Sequence, residues 1–139
     1  MIRVEPFLPD DYESVIQLWR NCDGIVLRAV DEREALLSYL ARNPGLSFVA
    51  HENGDVVGAV LAGTDGRRGY LQHLGVAATH RRRGIGRRLA NDVIRGLQRQ
   101  GIFKCHLFVV EGNAEATYFW RSLGWEPRTD LLMFSFGSG

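Results

Sequence analysis

The sequence predicts an α/β (α+β) chain built on a central mixed, mainly antiparallel sheet with about four helices. Three observations lead there. Ser47–Glu52 and Asp55–Thr64 are two apolar, alternating runs joined by Asn53-Gly54, the strongest short hairpin signal. A second turn, Asp65-Gly66-Arg67-Arg68-Gly69, leads into a third run, Tyr70–Ala77, so three antiparallel strands follow in series. A helix leaves the third run directly, with Ile85, Leu89, Val93 and Leu97 four residues apart. Strands in series before a helix exclude a doubly wound sheet, which needs repeated strand–helix–strand units.

The remaining elements follow in order. Ile2–Phe7 alternates enough for a first strand. Pro9-Asp10 opens a helix through Trp19, with Asp10 as its cap and Tyr12, Val15, Ile16 and Trp19 as its apolar stripe. Residues 20–30 show no period and read as a loop. Asp31 caps a second helix, Glu32–Arg42, with the stripe Ala35, Leu36, Tyr39 and Leu40, stopped by Asn43-Pro44-Gly45. Gly101 ends the central helix. Phe103–Val110 is the next strand, Ala114 to about Leu123 a helix, and Leu131–Phe136 a last strand. The sheet is thus expected to hold six to seven strands, and residues 1–139 to form a single domain.

The turn between the third strand and its helix carries the chemistry. The first amides of a helix lack intrahelical partners, and the helix dipole concentrates partial positive charge there. Gly84 and Gly86 allow close approach to the backbone, and Arg81, Arg82, Arg83, Arg87 and Arg88 add charge. The combination predicts a phosphate or pyrophosphate site. A P-loop is excluded because no Lys follows these glycines, and a dinucleotide fingerprint because its third glycine position is Leu89.

Composition bounds the partners. Net charge is +1; setting those five arginines aside from the 17 basic residues leaves 12, against 16 acidic ones. A basic spot on a slightly acidic body suits a small anion better than a nucleic acid, and no reading helix or aromatic platform is recognisable. No apolar run is long enough to span a membrane, and there is no signal peptide. Cys22 and Cys105 lack metal-ligand spacing, so free thiols, no metal and a cytoplasmic location are expected.

The motif Arg81-x-x-Gly84-x-Gly86, after a strand carrying Leu74-Gly75-Val76, resembles the acetyl-CoA signature of the GNAT N-acetyltransferase superfamily. The element order resembles that family's order. The segment Asn113-Ala114-x-Ala116-x-x-x-Trp120-x-x-Leu123-Gly124-Trp125 is similar to its Asn-Ala-x-Ala-x-x-x-Tyr-x-x-x-Gly-Phe block. Trp19-x-x-Cys22-Asp23 resembles small, uncharacterised bacterial members. The resemblance implies a GNAT fold whose sheet splays between the strands near 70–77 and 103–110, with acetyl-CoA as cosubstrate. Backbone groups of Leu74, Gly75 and Val76 would hold the pantetheine arm, amides of Arg82, Arg83, Gly84, Ile85, Gly86 and Arg87, after Arg81, the pyrophosphate, and Asn113 the far side of the cofactor. A strand amide near Leu74–Val76 would stabilise the oxyanion. The acetyl group would pass directly to an amine of a small molecule or peptide in a ternary complex, so no cysteine nucleophile is needed and Cys105 reads as a small core residue.

The resemblance also makes the first interhelical segment a wall of the acceptor site, with Trp19, Cys22, Asp23 and Arg28 as candidates; for Trp19 core packing is the preferred reading. The general base is expected among Tyr70, Gln72, His73 and Glu111. Alternation puts His73 on the opposite face from Tyr70 and Gln72, unless a bulge intervenes. The family's general-acid Tyr is replaced by Trp120, whose indole donates a hydrogen bond but delivers no proton at neutral pH, and whose bulk would narrow the acceptor pocket. Tyr118 sits roughly 200° away around the helix. A non-catalytic acyl-CoA-binding module of the same fold is the alternative reading. Dimerisation through sheet edges or the last strand is open.

Overall fold

A computed structural model describes residues 1–138 as two compact units, residues 1–108 and a second unit from Val109 onward. In the first unit the chain runs β1 (Ile2–Pro6), α1 (Tyr12–Arg20), α2 (Arg33–Arg42), β2 (Phe48–Glu52), β3 (Asp55–Thr64), β4 (Gly69–Val76), α3 (Ile85–Arg99) and β5 (Cys105–His106). The second unit contains α4 (Ala114–Ser122). Among the described residues no helix is long and apolar enough to cross a membrane.

The sheet follows chain order, β1-β2-β3-β4-β5. The first three pairings are antiparallel and β4–β5 is parallel. The β2–β3 hairpin forms as its sequence dictates: Asn53 (φ 52°) and Gly54 (φ 86°) both occupy the left-handed region that a tight primed turn requires. Trp19, Val15, Leu36, Val49 and Ala59 are fully buried on the face covered by α1 and α2. Leu89, Val93 and Leu97 of α3 are buried on the other face. There Gly58 brings β3 against Ile85 and Leu89, and Gly69 brings β4 against Leu97.

The register of β4 on β3 breaks once. Leu61 pairs with His73 and Ala62 with Leu71, so Gln72 is an extra residue, a β-bulge. Directly paired residues of an antiparallel ladder share a face. Tyr70 therefore stands with Gly63, which lies under Tyr39 and Asn43 of the α2 end. Leu71 stands on the α3 side. After the bulge His73 returns to the α1/α2 face, against Trp19 and Asp31, and Gly75 follows it. The opposition between His73 and Tyr70 expected from strict alternation is thus reversed.

Several expected boundaries are corrected. Among the described residues the sheet has five strands, not six to seven. β5 pairs with β4 only at Gly69↔Cys105 and Tyr70↔His106, far short of Phe103–Val110. Leu131–Phe136 forms no strand; Leu132, Phe134 and Phe136 are 85%, 89% and 93% exposed. Apolar, β-prone residues record what a strand would gain by burial, and without a paired edge the gain is not realised. Asp10 does not cap α1: a short 3-10 turn, Pro9–Asp11, precedes it, and the Asp11 carboxylate accepts from Leu8 N–H at 2.9 Å. Asp31 does not cap α2 either. It ends another 3-10 turn, Ala29–Asp31, and α2 starts after Glu32. Ala35 is exposed, so Leu36 anchors α2.

Gly96 shows how tightly α3 sits. A Cβ there would lie 2.8 Å from the Gly45 carbonyl oxygen, which is backbone and cannot swing aside. Helix propensity alone favours Gly96→Ala by about 1 kcal/mol. Overpacking costs about 1–3 kcal/mol and dominates. Denaturant unfolding is expected to show a lower midpoint for Gly96→Ala; a higher one would mean that α3 shifts freely on the sheet.

Candidate active site

β4 is the spine of the site. Its parallel neighbour β5 leaves it after Tyr70, the Cys105 thiol still bonds the Leu71 backbone, and among the described residues Gln72–Val76 run on with no ladder partner on that edge. The family resemblance implies a parting of strands here, and the β4–β5 ladder ends at Tyr70↔His106. An open edge presents unpaired N–H and C=O groups, a template for an extended ligand that adds as a strand. Leu74, Gly75 and Val76 lie on it. The Val76 carbonyl already accepts from Arg81 Nε at 3.3 Å, which folds Arg81 back over the strand end.

The turn beyond β4 is pinned to the sheet. Ala77 N–H donates to the Val57 carbonyl at 2.8 Å. His80 Nε2 lies 2.7 Å from Glu52 Oε1 on β2, and its Nδ1 2.7 Å from Thr79 Oγ1. The hydrogen bond from His80 holds the Glu52 carboxyl below the usual glutamate range. A depressed carboxyl stabilises above its unfolded value and loses that contribution as pH falls through the folded one, so this pin is intact at neutral pH and lost in acid.

The backbone then enters the left-handed region twice, at Arg82 (φ 65°) and Gly84 (φ 78°). Gly84 meets nothing within 4 Å of where a Cβ would stand, so its conformation, not crowding by the protein, asks for glycine. It opens α3 with no side-chain cap. The first ladder bond is Arg88 N–H to the Gly84 carbonyl, 3.0 Å, which leaves the amides of Ile85, Gly86 and Arg87 without helical partners. Arg81, Arg82, Arg83, Arg87 and Arg88 are exposed, while Ile85 and Gly86 are buried in the first turn. Among the described residues none of the five arginines forms an ion pair with a carboxylate. An uncapped helix N-terminus, unpaired cations and an open strand edge in series fit a ligand with an extended amide arm and a diphosphate.

On the α1/α2 face the bulge gathers Tyr70, Gln72 and His73. Gln72 Nε2 reaches Tyr39 Oη at 3.5 Å, and Tyr70 packs on His106 with centroids 5.9 Å apart. His73 packs on Trp19 (5.1 Å), and its Nε2 lies 3.0 Å from Asp31 Oδ1. Asp31 is the residue that sequence reasoning missed as part of this group. Its place before a helix reads as a cap, and no local signal announces a partner 42 residues away. The interhelical loop packs on β4 at Gly75, where a Cβ would come within 2.8 Å of Cys22 Sγ and 3.0 Å of Trp19 and Ile25. Trp19 and Cys22 are therefore core, and Asp23 and Arg28 are exposed.

The other candidates belong to the second unit. Glu111 is exposed in the turn before α4. Asn113 caps that helix, its Oδ1 accepting from Ala116 N–H at 3.0 Å. Trp120 stacks edge-on with Phe119 and Trp125, centroids 4.9 and 5.0 Å away. Tyr118 is exposed and, with Asn113, Thr117 and Arg121, lines a shallow hollow.

Comparison with known proteins places this architecture. Residues 12–125 match the acetyltransferase (GNAT) family. An acetyltransferase of Pectobacterium atrosepticum is 36% identical over 126 residues, covering 90% of this chain and 88% of that one. The PaiA N-acetyltransferase of Thermoplasma acidophilum, solved in complex with coenzyme A, superposes with a TM-score of 0.78 at 19% identity over 88% of this chain and 87% of that one. The acetyltransferase AAC(6')-Iy, solved with a bisubstrate analogue of coenzyme A and acetylneamine, gives 0.78 at 17% identity over 100% and 99%. The chain belongs to the GNAT acetyltransferase family. It is an acyltransferase.

Burial pushes the Cys105 thiol up to about 11. A raised value keeps the thiol protonated until the solution is well above neutral, and only the thiolate is nucleophilic. Cys105→Ala is therefore expected to leave acetyl transfer within about twofold, and iodoacetamide to modify Cys105 at pH 7.5 far more slowly than free cysteine. Loss of activity on that substitution, with the fold intact, would bring a covalent route back.

Proposed function

We propose that this chain moves the acetyl group of acetyl-CoA directly to an amine of a small molecule or peptide. The observation that carries the reading is the continuous path from the open edge of β4, Gln72–Val76, into the uncapped N-terminus of α3 among five exposed arginines. The coenzyme A complex of one structural neighbour and the bisubstrate complex of another support the ligand class.

In this reading the amides of Arg82–Arg87 and the surrounding guanidinium groups hold the pyrophosphate. Backbone groups of Leu74, Gly75 and Val76 hold the pantetheine arm, and Asn113 the far side of the cofactor. Acetyl-CoA supplies a thioester carbonyl open to attack by a neutral amine. A strand amide near Leu74–Val76 donates to its oxygen as charge develops. His73, returned by the bulge to the acceptor face, takes a proton from the acceptor ammonium; Tyr70 and Gln72 border the same face, and Asp23 and Arg28 lie on the loop beside it. Glu111 is the other base candidate. Trp120 offers no acid, so coenzyme A leaves as its thiolate and takes its proton from water; an ordinary thiol pKa of about 8.5 makes the thiolate a tolerable leaving group.

Initial rates against acetyl-CoA and an active amine are expected to give intersecting double-reciprocal lines. Parallel lines with an acetylated protein in the mass spectrum would replace direct transfer by a covalent route. His73→Gln is expected to lower kcat by roughly 10²- to 10⁴-fold, the usual contribution of a general base. An unchanged kcat would move that role to Glu111 or to water.

A further inference from the structure

Asp31 is almost wholly buried, at 5% exposed, and both its oxygens are engaged. Oδ2 accepts from the Arg28 backbone N–H at 3.0 Å, and Oδ1 lies 3.0 Å from His73 Nε2. Its own carbonyl accepts from the Tyr12 hydroxyl at 2.7 Å. Backbone bonds from Asp31 N–H to the Arg28 carbonyl, 2.9 Å, and from Glu32 N–H to the Ala29 carbonyl, 3.1 Å, close the 3-10 turn, and a solvent-exposed carboxylate could make the added Arg28 N–H bond. Capping does not explain why the group is buried and turned onto a histidine of β4, because burying a carboxylate is costly unless its oxygens are satisfied.

A carboxylate only accepts hydrogen bonds. In the neutral ring of His73 the proton therefore sits on Nε2, and Nδ1 keeps its lone pair. Among the described residues Nδ1 has no hydrogen-bond partner. The ring is held by Trp19 on one side, at 59° between planes, and its side chain remains 17% exposed.

We propose that Asp31 is a positioning residue for the acetyl transfer. It fixes His73 as the Nε2–H tautomer, leaves Nδ1 as the atom that takes the acceptor's proton, and ties that atom to residues 20–30 through Arg28. The inference rests on the reading of His73 as the base. In the step an N–H bond of the acceptor ammonium breaks and an Nδ1–H bond forms. The ring becomes a cation, stabilised by the Asp31 carboxylate, which itself takes no proton. The ring later returns the proton to water.

The test is the tautomer, read from 15N shifts and couplings of His73 in the intact protein, in wild type and in Asp31→Asn. Asparagine can keep the Arg28 bond through its oxygen, but its amide donates to Nε2 and so moves the ring proton to Nδ1. Wild type is expected as Nε2–H and Asp31→Asn as Nδ1–H, with kcat lowered roughly 10²- to 10⁴-fold. Coenzyme A affinity and thermal midpoint should stay close to wild type, and Asp31→Asn should add no further loss in a His73→Gln background. A wild-type Nδ1–H tautomer overturns the proposal without any variant, and so does an unchanged kcat in a folded Asp31→Asn. Should no amine be turned over while His73 is Nε2–H, the acetyl-transfer reading falls and Asp31's positioning role with it, and only the tautomer stands.

Discussion

Gln72 is the residue that β4 carries in excess of β3, and it decides the face on which His73 stands. In a regular ladder Tyr70 and Gln72 would share one face and His73 the other. With two residues opposite one at the bulge, Leu71, Leu74 and Val76 serve the α3 side. Tyr70, His73 and Gly75 serve the α1/α2 side. One inserted residue thus lets a single strand do two jobs: an apolar floor for the long helix and a polar wall facing the interhelical loop. Bulges increase local twist and bend the strand that carries them. Here the bulge lies just beyond the last pair that β4 makes with β5, where the two strands part.

The second constraint is electrostatic. Fifteen residues of α3 aim their N-terminus at the end of β4, and the cap is a glycine with no side chain to satisfy the first amides. The turn stays in place because its two ends are fixed elsewhere: Ala77 on β3, His80 on Glu52 of β2, and Ile85 and Leu89 beneath Gly58. The five arginines are exposed, so each contributes little to stability. Exposed charges of this kind act mainly through a field that weakens at high salt.

The fold was legible where local chemistry decides it. Asn53-Gly54 announces its turn through two left-handed residues, and the four-residue spacing of Ile85, Leu89, Val93 and Leu97 announces α3. The turn before α3 was legible for the same reason, since glycines, arginines and a helix start lie within eight residues. What depends on distant partners was not. Leu131–Phe136 has a strand's composition and forms no strand. Asp31 looks like a cap because helix starts often carry one, and its bond to His73 spans two elements. Arg82 carries no mark of its left-handed backbone. The bulge at Gln72 is invisible too, since it is a mismatch between two strand lengths and not a property of either one.

The β4 edge and the α3 N-terminus are proposed to form one site for coenzyme A. Calorimetric titration of coenzyme A and acetyl-CoA into wild type and Gly84→Glu tests it most directly. The substitution forces a side chain onto a left-handed position and puts negative charge where the pyrophosphate should lie. Saturable binding to wild type is expected, with a Kd at least tenfold weaker for the variant, about 1.4 kcal/mol or more. Equal affinity in a folded Gly84→Glu, or no binding to wild type, would contradict it.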